Sequence, residues 1–256
     1  MYIKWDTDNA ASNEVGNKAA NLYQLKQMGI PVPKGFTIVK RAFLDFVALH
    51  QLDKCEIPEK IAKEITEACD ALGKTKFAVR SSSSIEDLET KSFAGMYETF
   101  LNVEKGDVLE NVKKCWQSTF NPRALSYIEK LGIKNDITMA VIVQEMIKYR
   151  FGGVMFTINP ITGDPSKIVI EYTERVESLV AGETTPNRVI VDKVTKQIDK
   201  TSDDLEEKYI FELSNIARDI ENHFGCYQDI EWAIDDTGIV ILQARPETTC
   251  LPVRPV

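Results

Sequence analysis

The stretch Asp229-Ile-Glu-Trp-Ala-Ile-Asp-Asp-Thr-Gly-Ile-Val-Ile-Leu-Gln-Ala-Arg-Pro246 reads as a β-hairpin with two chemically distinct faces. A three-residue loop of Asp236, Thr237 and Gly238, with Gly238 in the left-handed conformation, sets Asp229 opposite Arg245 and Glu231 opposite Gln243. Strand alternation then gathers Ile230, Trp232, Ile234, Val240, Leu242 and Ala244 on an apolar face that packs on a core. The other face presents Asp229, Glu231, Gln243 and Arg245. A carboxylate opposite an amide offers two hard oxygens suited to Mg²⁺, which takes one or two protein carboxylates and completes its shell with water and phosphate oxygens. Arg245 is suited to hold a phosphate bidentately. Taken alone, the hairpin reads equally well as a half-buried ribbon with a solvated side and an Asp229–Arg245 ion pair, so the choice rests on the rest of the chain.

The 256 residues are 43% apolar and 27% charged, a composition that suits a soluble globular protein large enough for two lobes around a cleft. No run approaches the roughly 20 apolar residues of a spanning helix, and the start, Met1-Tyr-Ile-Lys-Trp-Asp, lacks the apolar core of a secretion signal. A formal charge of −8, from 31 basic and 39 acidic residues, argues against a nucleic-acid surface, so any phosphate site must be local. Cys55, Cys69, Cys115, Cys226 and Cys250 show no metal-binding or redox spacing and read as reduced, buried thiols of a cytoplasmic protein. His50 and His223, the two histidines, each end a predicted helix, where an imidazole suits the dipole, and read as caps rather than catalysts.

Helices and strands follow one another without regular alternation, which predicts an α+β fold. Helices are expected over Asn17 to Met28, Lys40 to Gln51, Pro58 to Leu72, Asp107 to Phe120, Pro122 to Leu131 and around Asp203 to His223. Strands are expected over Phe36 to Val39, Phe77 to Arg80, Thr99 to Val103, Thr138 to Gln144, Gly152 to Thr157, Ile168 to Glu171, Arg188 to Asp192 and the terminal hairpin. The short polar segment within Met146 to Gly153 marks a lobe boundary, giving an N-terminal lobe over 1–147 and a C-terminal lobe with the hairpin over 148–256. A ligand is expected in a cleft between them.

Two further segments speak of phosphate. In Gly16-Asn-Lys-Ala-Ala-Asn-Leu, Asn17 is a good N-cap and Ala19, Leu22, Tyr23 and Leu25 recur at helical spacing. Lys18 therefore sits in the first turn, where a cation opposes the macrodipole by about 0.3–1 kcal/mol unless an anion intervenes, and where free backbone N–H groups can bind phosphate. By itself this is an exposed lysine that tolerates the cost. In Phe77-Ala-Val-Arg-Ser-Ser-Ser-Ser-Ile-Glu-Asp, an apolar strand delivers Arg80 to four serines, a pattern suited to polyphosphate capture by a hydroxyl-rich lid. The plain alternative is a Ser-rich linker with a solvated arginine.

Together these motifs resemble a known family. Val79-Arg-Ser-Ser-Ser-Ser-Ile-Glu-Asp and Ser92-Phe-Ala-Gly-Met-Tyr-Glu-Thr-Phe-Leu resemble the nucleotide-binding domain of phosphoenolpyruvate synthase (pyruvate, water dikinase) and pyruvate phosphate dikinase. Gly16-Asn-Lys-Ala-Ala-Asn-Leu, Ile30-Pro-Val-Pro-Lys-Gly-Phe, Gln144-Glu-Met-Ile, Gly152-Gly-Val-Met-Phe-Thr, Asn159-Pro, Gly182-Glu-Thr-Thr-Pro and the hairpin complete the series in the same order over nearly the whole chain. The resemblance implies an ATP-grasp fold, two lobes enclosing Mg-ATP. It implies that Lys18 and Arg80 contact phosphates and that Gln144, Met146 and Ile147 line the adenine site. Glu231 and Gln243 would hold Mg²⁺, and Arg245 would neutralise phosphate charge. Lys18, Arg80 and Arg245 are the implied catalytic cations, since phosphoryl transfer rests on positioning and charge neutralisation.

The chain departs from the family pattern twice. The family's phosphate goes to a histidine on a swivelling domain downstream of Gln-Ala-Arg-Pro, and pyruvate binds on yet another domain. With the sequence stopping at Val256, both are expected on a separate domain or chain, so dikinase chemistry is incomplete on these residues alone. Tyr172-Thr-Glu-Arg-Val-Glu-Ser-Leu-Val-Ala also lacks the family's glycine-bearing turn, which leaves transfer less secure than ATP binding. Glu171 and Glu177 are further candidate contacts. The expected activity is transfer of phosphate from ATP to a carrier histidine. The alternatives are an ATP-binding regulatory module without transfer, and the same module serving an antibiotic or glucan acceptor.

Overall fold

The structure is a computed structural model that describes residues 1–49, 56–83, 98–121, 138–174 and 186–247. The helix expected over Pro122 to Leu131, the segment from 175 to 185 with Glu177, and His50, Cys55 and Cys250 lie outside the described residues. The chain is α+β, as the order of predicted elements implied. It divides into two units, Met1–Gln27 with Pro33–Met146, and Met28–Val32 with Ile147–Val256.

The first unit is an antiparallel sheet in the order β1-β2-β5-β3-β4, built from β1 (Ile3–Trp5), β2 (Gly35–Ile38), β3 (Lys76–Ser82), β4 (Thr99–Glu104) and β5 (Ala140–Glu145). Alternation along β3 and β5 separates two faces. Phe77, Val79, Val141 and Val143 join Phe36 and Ile38 in a core closed by α2 (Lys40–Leu49), α3 (Glu59–Leu72) and α4 (Val108–Ser118). The α3 helix buries Ile61, Ile65, Ala68 and Cys69 at helical spacing, and Gly73 ends it in the left-handed conformation with its N–H donating to the Asp70 carbonyl. Burial pushes the Cys69 thiol up to about 11, which leaves it inert. The opposite face of the sheet, with Ala78, Ile142 and Gln144, is covered by α1 (Ser12–Gln27).

The second unit is a six-stranded antiparallel sheet, β11-β10-β6-β7-β8-β9, made of β6 (Phe151–Phe156), β7 (Lys167–Thr173), β8 (Asn187–Asp192), β9 (Ile198–Lys200), β10 (Gln228–Asp235) and β11 (Gly238–Pro246). One face carries buried Met155, Ile170, Tyr172, Ile230 and Trp232. Against β10 and β11 packs α5 (Glu207–Phe224), which buries Ile210, Leu213, Ala217 and Ile220 and is closed by left-handed Gly225. The Met28–Val32 segment belongs to this unit, and its Pro31 carbonyl accepts the Ile241 N–H at 2.8 Å on the outer edge of β11. Edge strands otherwise leave such groups unpaired. Among the described residues no helix is long and apolar enough to cross a membrane.

Three local expectations need correction. The residues Ser81 and Ser82 are the end of β3, and Ser81, Ser82 and Ser83 are all buried, so they form no solvent-facing lid. Residues 84–97 lie outside the described residues. Cys226 is exposed rather than buried. The hairpin loop has two residues, Asp236 and Thr237, because Asp235 pairs with Gly238. The Asp235 carboxylate fixes this turn by accepting both the N–H and the hydroxyl of Thr237, at 2.7 and 2.6 Å.

Candidate functional site

In the second unit, the short loop sets Trp232 opposite Ile241, yet Glu231 lies opposite Gln243 and Asp229 opposite Arg245. Leu242 is the extra residue of a β-bulge and is only half-buried, whereas Ile239 and Ile241 are core residues. The bulge restores the register that a three-residue loop would have produced, so the four polar side chains share one face as expected. Directly opposed residues of antiparallel strands lie on the same face, which extends this row across the sheet. Glu231 is opposite Val154, Val154 opposite Glu171, and Glu171 opposite Arg188. Gln243, Glu231, Glu171 and Arg188 are therefore in line, with Glu231 and Glu171 two strand spacings apart, about 9.5 Å.

Two ion pairs organise this face. The Arg245 guanidinium donates from Nε and Nη2 to Asp229 Oδ2 at 2.9 and 2.7 Å. Arg188 donates from Nε and Nη2 to Glu171 Oε1 at 3.1 and 2.8 Å. Burial raises the Asp229 carboxyl above its usual range, against the pull of Arg245, and repulsion from Glu231 and Glu247 adds to the rise. This ion pair is the one that the plain reading of the hairpin expects, and the resemblance assigns Asp229 no role.

Gly153 in β6 lies tight against the backbone of β7. A Cβ on Gly153 would lie 1.9 Å from the Glu171 carbonyl oxygen, so only glycine lets β6 and β7 pack here.

In the first unit, Arg80 lies opposite Ile142 and Thr99, and Gln144 lies opposite Ala78 and Gly35. Alternation puts Arg80 and Gln144 on the same face of the sheet, the face that α1, the bearer of Lys18, covers. Both cations are half-buried. Gln144 is buried and its amide donates to the Pro33 carbonyl at 3.3 Å. The Met146 N–H donates to the Lys76 carbonyl at 3.0 Å, and Ile147 begins the second unit. The structure thus places Arg80 and Gln144 on the sheet face that the Lys18 helix covers, and Glu231, Gln243 and Arg245 on one face of the other sheet.

The start of the Lys18 helix differs from its expected form. The α1 helix begins at Ser12 and breaks at Gly16, whose φ of 78° and ψ of 164° favour glycine. Beyond the break, the Ala19 N–H donates to Ser82 Oγ at 3.1 Å and the Asn17 N–H points to the Ser83 carbonyl at 3.5 Å. These two amides are therefore engaged by β3 and the residue after it.

Residues 49–204 and 197–251 match the family described as pyruvate phosphate dikinase, AMP/ATP-binding domain. A probable phosphoenolpyruvate synthase of Archaeoglobus fulgidus is 35% identical over 97% of this chain and 42% of its own length. The phosphoenolpyruvate synthase of Aeropyrum pernix is 33% identical over 91% of this chain and 40% of its own. A rifampicin phosphotransferase of a Streptomyces species is 31% identical over 97% of this chain and 36% of its own. The chain spans less than half the length of each of these relatives. Among solved structures, D-alanyl-alanine synthetase A of Vibrio cholerae covers 93% of this chain and 56% of its own, at 12% identity and a TM-score of 0.46. With the family motifs in order along the chain and the match running over residues 49–251, this protein belongs to the family of pyruvate phosphate dikinase AMP/ATP-binding domains.

Proposed function

We propose that the chain is the Mg-ATP-binding phosphotransferase module of a phosphoenolpyruvate synthase-like dikinase, and that it passes a phosphoryl group from ATP to a carrier histidine on a separate domain or chain. The observation that carries this reading is the polar face of the hairpin, where register alone aligns Glu231 with Gln243 beside the Asp229–Arg245 pair. Family membership supplies the nucleotide. Two cross-strand polar pairs on one face of the edge ribbon, backed by buried Trp232, form a platform suited to charge recognition.

Mg²⁺ fits this set. Glu231 and Gln243 offer one carboxylate and one amide oxygen, both half-buried, on adjacent strands. Among the described residues no group of three or more His, Cys, Asp or Glu is placed to hold a metal, so a cation here would take its other ligands from water and phosphate, as Mg²⁺ does. When bound, it would neutralise charge on the phosphate oxygens. Arg245 would share that task, and Lys18 and Arg80 would also contact phosphate. Gln144, Met146 and Ile147 would line the adenine site. A pyruvate-binding domain would lie elsewhere in the complete system.

Incubation with ATP labelled at the β or γ position and a separately made histidine carrier domain tests the reading. Label is expected on the carrier histidine, reduced by Glu231→Ala, and an unlabelled carrier rejects it. The rifampicin phosphotransferase relative favours one variant of the same proposal, in which the final acceptor is a small molecule other than pyruvate. Carrier labelling is common to both acceptors, so addition of pyruvate or of the antibiotic to the labelled carrier separates them.

A further inference from the structure

The break in α1 and the end of β3 are locked together by one hydroxyl. Ser82 is fully buried, its Oγ donates to the Val15 carbonyl at 2.8 Å, and the same oxygen accepts the Ala19 N–H at 3.1 Å. It thereby joins the last turn before Gly16 to the first turn after it. Gly16 lies directly against this latch, since a Cβ there would be 2.4 Å from both the carbonyl oxygen and Oγ of Ser82. Lys18 stands between the two bonded residues in sequence, and Arg80 is two residues before Ser82 on the same face of β3. A helix start pinned only by its own capping would fray within its first turn, whereas this one is fixed from both sides by a strand of the sheet.

We propose that Ser82 is a positioning residue that fixes the Lys18 turn of α1 to the Arg80 strand, so that the two cations meet the nucleotide phosphates as one preset pair. This rests on the reading that Lys18 and Arg80 contact phosphate. Ser82 touches no ligand in this proposal and acts only through the backbone of residues 15–19. Holding two charged groups in a preset geometry avoids the entropy of ordering them on binding. The same latch explains why Ala19 offers no amide to a phosphate: its N–H is already used to build the site.

The test is calorimetric titration of the full chain with ATP and with adenosine, for the wild type, Ser82→Ala, Lys18→Ala and the double variant. Ser82→Ala is expected to weaken ATP about tenfold and to leave adenosine unchanged, because a loosened cation costs only phosphate contacts. In the Lys18→Ala background the same change is expected to cost ATP affinity far less, since the two residues act through one contact. Equal losses for ATP and adenosine, or additive losses in the double variant, overturn the proposal while leaving the nucleotide reading standing. A wild type that binds no ATP overturns both. Should Ser82→Ala fail to fold, hydrogen exchange on the wild type decides: the Ala19 amide is expected to exchange as slowly as the interior of β3, and fast exchange there overturns the latch.

Discussion

Removing Arg245 should cost stability through the carboxylate it leaves behind. Asp229 keeps 11% of its side chain exposed and Arg245 keeps 44%, so the acid end of the pair is buried and the base end is wet. Breaking a fully buried pair costs about 3–5 kcal/mol, and an exposed one about 0–1 kcal/mol. The two bonds, at 2.9 and 2.7 Å, converge on a single buried oxygen, so the value for charge-assisted hydrogen bonds, about 1.5–3 kcal/mol, is the appropriate one for Arg245→Ala at pH 7. The loss arises because Asp229 would be left without its cation in a site that already disfavours its charge, with Glu231 and Glu247 adding repulsion. In an Asp229→Asn background the same truncation should therefore cost less than about 1 kcal/mol. Urea denaturation of the four variants measures the cycle, and hydrogen exchange over residues 228–246 shows whether the loss is local to the hairpin. An equal loss in both backgrounds would refute the reasoning, because it would mean that Arg245 stabilises the fold through packing rather than through Asp229.

The raised carboxyl of Asp229 also predicts a pH profile. A group whose folded pKa lies above its unfolded value, about 3.9, contributes stability at low pH that is lost as pH rises through the folded value. The stability of wild type relative to Asp229→Asn should fall over that window in chemical denaturation, and a rise would show that the pull of Arg245 outweighs burial. Gly153→Ala should destabilise by about 1–3 kcal/mol or more, since its Cβ would meet the Glu171 carbonyl at 1.9 Å, while Gly106→Ala, with nothing within 4 Å, should stay within about 0.5 kcal/mol. Thermal melts of the two compare them directly, and a tolerated Gly153→Ala would contradict the tight β6–β7 approach.

Much of the fold was legible because burial patterns are local. The α3 helix announced itself by the spacing of Ile61, Ile65 and Ala68 and by Gly73 at its end. The strands β2 to β8 and β10 to β11 were found to within a few residues from their apolar runs. The strands β1 and β9 were not, because three residues apiece carry too little alternation and are ordered by pairing with β2 and β8. The serines after Arg80 misled for a physical reason: their composition is that of a loop, but Ser82 is drawn into the interior because a helix amide and a carbonyl from distant sequence need its hydroxyl. No local pattern could reveal that partnership, 63 and 67 residues away.

The hairpin shows how a correct register can follow from an incorrect loop. Ile239, Val240, Ile241 and Leu242 form an unbroken apolar run, so alternation, the signal that would reveal a bulge, is absent where the bulge lies. Near the turn both faces are buried, with Ala233 and Val240 as enclosed as Trp232 and Ile241, and only past the bulge does one face turn polar. The bulge therefore changes more than a count of residues. Without it, a two-residue loop would set Glu231 opposite Leu242 and Asp229 opposite Ala244, and the carboxylates would face apolar partners while Gln243 and Arg245 turned to the core side. A one-residue shift at Leu242 brings the carboxylates, the amide and the guanidinium onto one surface, which makes the bulge the structural origin of the polar face and of the Asp229–Arg245 pair.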